Sequence, residues 1–193
     1  MSGAPPQMQL QMAWDHRRFG NPLHPVSIPD GYILRTYQAG DETGWCSVMD
    51  LAGFGGWDEE KLAPWFGKIL PDGWFMIIHK ATGDIVATAM ALHGPTDLFP
   101  FGGELGWVAG NPAHSGKNLG TAVCAAVTAR LIGAGYHLIH LNTDDFRLPA
   151  IKIYLKLGYV PFLFTSDMPD RWRAVCEKLN WPYAPEAWRH VDR

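Results

Sequence analysis

The residues whose types and spacing could do chemistry fall in two short segments. The first is Gly110-Asn111-Pro112-Ala113-His114-Ser115-Gly116-Lys117-Asn118-Leu119-Gly120-Thr121. A glycine-bearing turn that opens a helix leaves several backbone N–H groups free and pointing one way. The helix dipole adds to their attraction for a phosphate or pyrophosphate. Gly116 and Gly120 let the backbone approach such an anion closely, and Lys117 adds positive charge. A nucleotide-triphosphate loop does not fit, because it needs four residues between its glycines and a hydroxyl after its lysine. Here five residues separate Gly110 from Gly116, and Asn118 follows Lys117. The glycine fingerprint of dinucleotide-binding folds is missing from this stretch as well. On this segment alone, a turn whose glycines serve only the backbone remains open.

The second segment runs from Asp144 to Pro161 and contains Ala150, Tyr154, Gly158 and Tyr159, in the form A-x-x-x-Y-x-x-x-G-[F/Y]. Ser115 and Ala150 stand 35 positions apart. In this order and spacing the two segments resemble the GNAT superfamily of acyl-CoA-dependent N-acyltransferases. There a phosphate turn [R/Q]-x-x-G-x-[G/A] precedes a helix N-x-x-A-x-x-x-Y-x-x-x-G-F. The resemblance covers residues 32–164. It departs from the pattern at Ser115 (usually Arg or Gln), at Asn118 (usually the first Gly) and at Arg147 (usually Asn). Asn tolerates the left-handed backbone better than most residues, so the turn can survive. The family also continues into a paired strand after the position of Phe164, where this chain reads as a helix.

The resemblance implies acetyl-CoA, or a related acyl-CoA, as co-substrate and no metal. The backbone of Val108, Ala109 and Gly110 would hydrogen-bond the pantetheine amides. The N–H groups of Ser115, Gly116, Lys117, Asn118, Leu119, Gly120 and Thr121 would hold the pyrophosphate. Acyl transfer to an amine needs a base for the nucleophile and an acid for the leaving thiolate. Tyr154 matches the family's proton donor, and a phenol of ordinary pKa about 10 suits that role toward a thiolate. Glu104 stands where some members carry the carboxylate that deprotonates the amine through water. As residues alone, Tyr154 also reads as a core side chain of an amphipathic helix and Glu104 as a solvated strand-end carboxylate. Asp144 and Asp145 read as capping groups, and Lys152 and Lys156 as a solvated face at i, i+4.

The elements that must position these groups follow from periodicity. After a Pro-punctuated N-terminal arm over residues 1–30, with a short edge strand at 10–14, residues 31–193 form the domain. Strands are expected at 32–37, 74–79, 85–92, 104–110, 136–141 and 159–164. Asp41 reads as the cap of a helix with Trp45, Val48, Met49 and Ala52 on one face. A second helix from Asp58 carries Leu62, Trp65, Phe66 and Ile69 and is kinked or split at Pro64. Further helices are expected at 117–132, 149–157 and, opened by Asp167 and Pro169, through Trp172, Val175, Cys176 and Leu179. Hairpins followed by strand–helix–strand steps give a mixed central sheet flanked by helices on both sides. The expected class is therefore α/β (mixed α+β): a GNAT-like three-layer domain with an irregular arm and an extra C-terminal helix, as monomer or homodimer.

Composition bounds the partners. The chain has 193 residues, 47% of them hydrophobic and 18% charged, enough to build a core. A net charge of −3 with no basic block argues against nucleic acid, and no apolar run is long enough to span a membrane. A cytoplasmic location is expected. Three scattered cysteines and no His pair at helical spacing suggest neither a disulfide framework nor a structural metal. Nine Trp are many for this length, and Trp57 in Gly53-Phe54-Gly55-Gly56-Trp57 stands where the family builds acceptor contacts. The expected activity is acyl transfer to a primary amine of a small molecule or peptide. The rivals are a non-catalytic acyl-CoA-binding module on the same fold and an interaction protein without cofactor.

Overall fold

The computed structural model describes residues 8–14 and 23–188. Its strands are β1 (Leu10–Trp14), β2 (Tyr32–Thr36), β3 (Ile69–His79), β4 (Ile85–His93), β5 (Gly103–Gly110), β6 (Ile139–Thr143) and β7 (Tyr159–Phe162). They form one sheet in the order β2-β3-β4-β5-β6-β1-β7. Neighbours are antiparallel except β5 and β6, which run parallel and are joined through α3 (Leu119–Gly133). The other helices are α1 (Glu42–Leu51), α2 (Glu59–Leu62), α4 (Leu148–Leu157) and α5 (Met168–Leu179).

Burial explains the layers. β4 reads Ile-Val-Ala-Thr-Ala-Met-Ala-Leu and is buried at each of those positions, as a central strand covered on both faces must be. One face packs under α3, α4 and α5, with Leu10, Ile77, Leu105, Val127, Ile151 and Trp172 in its core. The other packs against α1 through Trp45, Val48 and Met49 with Met76, Met90 and Leu92. Helix α3 is apolar nearly all round, so it is enclosed rather than half exposed.

Four expectations are corrected. The strand at 10–14 is not an edge: β1 lies between β6 and β7, antiparallel to both, with Met12 opposite Leu141 and Pro161. The β6–α4–β7 crossover skips one sheet position, and the N-terminal segment fills it. Pro161, which has no N–H, is tolerated because β7 is the sheet's outer strand. Ile69 begins β3 instead of continuing a helix; α2 stops at Leu62 and passes through a 3-10 turn, Ala63–Trp65, containing Pro64. Strand β6 starts at Ile139 rather than at residue 136, because the turn that ends α3 runs on through Gly135, at φ +86°. Strand β7 ends at Phe162, two residues short of expectation.

Candidate active site

Strands β5 and β6 are paired only at Gly103–Ile139 and Glu104–His140. Beyond Glu104 they part: β5 stays on β4 as far as Gly110 opposite Ala87, while β6 stays on β1 as far as Thr143 opposite Leu10. A wedge with unpaired backbone on its facing edges results. A cleft of about 1010 Å³ occupies it, lined by both strands, the 111–121 turn, α4 and the end of α1. A bulge shapes its wall. Between the Thr88–Ala109 and Met90–Gly106 pairs β5 carries one more residue than β4, and Trp107 sits at φ +49°. Such strain in a bulky residue persists only where the surroundings enforce it, and it re-aims the side chain.

The turn keeps the geometry that an anion needs. Asn111 accepts a hydrogen bond from the Ala113 N–H at 2.9 Å and starts the short 3-10 turn Pro112–His114. Gly116 (φ +75°) and Asn118 (φ +61°, ψ +16°) are both left-handed, so Asn118 adopts the conformation that its replacement of a glycine demands. Its side chain does not cap α3, and among the described residues no side chain accepts from the first N–H groups of the helix. Gly120 has a second reason to be small: a Cβ there would lie 2.9 Å from Ile153 Cδ1, where α4 crosses α3. Lys117 is drawn back from the turn. Its ammonium donates to the Tyr32 hydroxyl at 2.7 Å, and that hydroxyl also meets His114 Nδ1 at 2.8 Å. Burial, with Lys117 and His79 beside it, holds the His114 imidazole below its ordinary pKa.

Tyr154 and Glu104 both line the same cleft. Tyr154 is 5% exposed, and burial pushes its phenol well above the ordinary tyrosine range, with Cys124 and Tyr159 adding to the rise. No described residue hydrogen-bonds its hydroxyl. Glu104 Oε1 accepts from Asn142 Nδ2 at 3.1 Å, and a Cβ on Gly94 would come within 2.9 Å of Oε2, so the loop before β5 walls the carboxylate. Beside it His140 is fully buried, stacked on Phe99 at 4.5 Å, with Nε2 donating to the Gly94 carbonyl at 2.8 Å. Nδ1 of that ring has no partner among the described residues, and burial holds the imidazole's pKa below its ordinary value.

Asp144 and Asp145 do not cap α4. Asp144 accepts from Arg147 Nε and Gln9 Nε2, each at 3.0 Å; Asp145 takes a two-pronged bond from Arg171 at 3.0 and 2.6 Å. The Arg147 guanidinium then lies 3.8 Å above the Phe54 ring. Trp57 packs edge-on against Trp45 and Trp107 and is not in the cleft wall, whereas Phe54, Trp65 and Trp107 are. Trp65, expected on a core stripe, is only half-buried. Lys152 and Lys156 are exposed on the cleft's outer rim. Sequence reasoning missed Gln9, Asn142 and Trp107. Only Trp107 carried a signal, as a large aromatic inside a glycine-flanked strand.

The sequence model described as "Acetyltransferase (GNAT) family" matches residues 43–159, more than half of the chain. Among curated proteins, the mycothiol acetyltransferase of Thermomonospora curvata is 28% identical over 153 residues, covering 74% of this chain and 48% of the relative. That of Thermobispora bispora is 29% identical over 164 residues, covering 76% and 52%. The chain thus spans about half the length of the curated relatives it matches. Among solved structures, a GCN5-related N-acetyltransferase from Sphaerobacter thermophilus superposes with a TM-score of 0.63 at 19% identity, over 81% of this chain and 50% of that one. The ribosomal-protein-S18-alanine N-acetyltransferase of Escherichia coli gives 0.53 at 20% identity, over 66% and 76%. These likenesses establish the fold.

Proposed function

From the premise that the chain belongs to the acetyltransferase (GNAT) family, we propose that it moves an acetyl group, or another acyl group, from acyl-CoA to a primary amine of a small molecule or peptide. The observation that carries this reading is the wedge: two parallel strands paired at only two positions, opening beside a turn with two left-handed residues and an uncapped helix start. That combination offers a pantetheine arm unpaired backbone along β5 and a pyrophosphate a nest of N–H groups. In this reading Val108, Ala109 and Gly110 hold the arm and Ser115 through Thr121 the pyrophosphate. Acyl-CoA supplies the thioester carbonyl that the amine attacks. Glu104, directly or through water, accepts the proton that the amine sheds. Tyr154 gives its proton to the departing sulfur. Burial keeps that phenol protonated at neutral pH, and the same surroundings disfavour an unprotonated thiolate left beside it. The proposed place of action is the cytoplasm, where acyl-CoA is made and consumed.

Ser115 and Arg147, which depart from the family pattern, favour a second reading: a module that binds acyl-CoA without turning it over. Calorimetric titration with CoA and acetyl-CoA, followed by thiol release with a panel of amines, separates the two. Micromolar binding with amine-dependent thiol release is expected. Binding without release would favour the module, and no binding at millimolar ligand would remove the cofactor assignment.

A further inference from the structure

We propose that the acceptor is a primary amine bearing a flat aromatic group and a carboxylate, an aromatic α-amino acid being the smallest such molecule. This rests on the acyl-transfer reading above. Phe54, Trp65 and Trp107 line the cleft, and all three lie outside the 111–121 turn. Their planes are fixed by one another: Trp107 meets Trp65 edge-on at 4.8 Å and is braced from behind by Trp57 at 4.6 Å. Aromatic faces already held in place lose little freedom when a ring packs on them. Phe146, 74% exposed at the same mouth, extends the apolar surface.

The charges in this pocket are arranged for a zwitterion. The centre of the Arg147 guanidinium lies 3.8 Å from the Phe54 ring centroid and 5.2 Å from that of Phe146, and its Nε donates to Asp144. Its two Nη groups make no hydrogen bond to any described residue, and Arg147 lines the cleft, so a planar fork remains available to a carboxylate bound there. Asp144 is itself occupied by Arg147 and Gln9. Glu104 is the other carboxylate of the wall, and its Oε2 has no hydrogen-bond partner among the described residues. It suits the amine end. A polyamine would bring no carboxylate to the two Nη groups, although Asp144 already pairs with Nε.

The test uses the full chain with saturating acetyl-CoA and follows thiol release. The panel is phenylalanine and tryptophan, their decarboxylated counterparts phenethylamine and tryptamine, then alanine, glycine and spermidine. The aromatic acids should exceed both the decarboxylated amines and the small amino acids by at least about 10-fold in kcat/KM, since a site built to pair a polar group rejects the analogue lacking it. R147Q should bring the acids down to the level of their decarboxylated counterparts, R147K should recover only part of the difference, and W65A should bring the aromatic acids toward alanine. Preference for spermidine or alanine, or an acid preference that survives R147Q, would overturn the proposal. If no amine releases thiol, the acyl-transfer reading falls separately. Calorimetry on the CoA-saturated protein then decides the subsite: tighter binding of phenylalanine than of phenethylamine, lost in R147Q, upholds it, and equal or absent binding overturns it.

Discussion

Tyr154 is the residue at which chemistry and binding can be told apart. Its ring is packed between helix and sheet, edge-on to Tyr159 at 6.2 Å, while its hydroxyl has no described hydrogen-bond partner. Tyr154→Phe therefore strands no protein group and leaves no cavity. If the phenol protonates the leaving sulfur, kcat should fall by roughly 10²–10⁴, with CoA affinity and thermal unfolding nearly unchanged. A loss confined to KM would mean uniform binding instead. Single-turnover rates make the measurement independent of product release, and an unaltered chemical step in the mutant would sink the assignment. Because burial raises this pKa, any alkaline loss of activity below about pH 10 belongs to another group.

At the scale of elements, the 111–121 turn, proposed to hold the pyrophosphate, depends on one unusual non-glycine backbone. Asn118 holds φ +61° where a residue with an ordinary Cβ is strained by about 1–2 kcal/mol. Asn118→Gly should leave CoA affinity near its original value. Asn118→Ala should lower thermal stability and raise the Kd for CoA several-fold by calorimetry; equal affinities for the two variants would show that the turn does not need the left-handed residue. The left-handed conformation was legible in the sequence, because a short polar side chain stood in a glycine's place between a strand and a helix. So was the order of strands and helices, since β4, α3 and α4 each have a burial pattern that their own residues set. The aromatic wall was only partly legible. Periodicity put Trp65 on a helical stripe, but Pro64 ends the helix and a 3-10 turn carries Trp65 to the cleft. The Glu104–Asn142 and Gln9–Asp144 contacts were illegible, because they join residues 38 and 135 positions apart and no local pattern encodes such a meeting.

The whole molecule depends on a segment that local reading placed at its margin. Strand β1 closes the sheet between β6 and β7, and Leu10 and Met12 are fully buried. Arg171 of α5 binds Asp145 and Asp167 and also donates to the Met8 carbonyl at 2.9 Å, so the lead-in to β1 is tied to the helix layer. Gln9 reaches from the same segment into the cleft at Asp144. Completion of the sheet and of the cleft wall at Asp144 thus share β1 and the residue that leads into it. An edge strand would accommodate a shortened side chain with little change, whereas an internal one leaves a cavity under two neighbours. Met12→Ala should therefore destabilise the protein by about 2–5 kcal/mol in denaturant unfolding. Met8→Ala, at a residue that is 56% exposed, should stay within about 0.5 kcal/mol. Two similar unfolding curves would contradict the internal placement of β1. A Met12→Ala protein still folded at assay temperature should show a raised KM for the amine with little change in CoA affinity, because β1 anchors Gln9 beside the proposed acceptor end and makes no pairing with the turn proposed to hold the pyrophosphate.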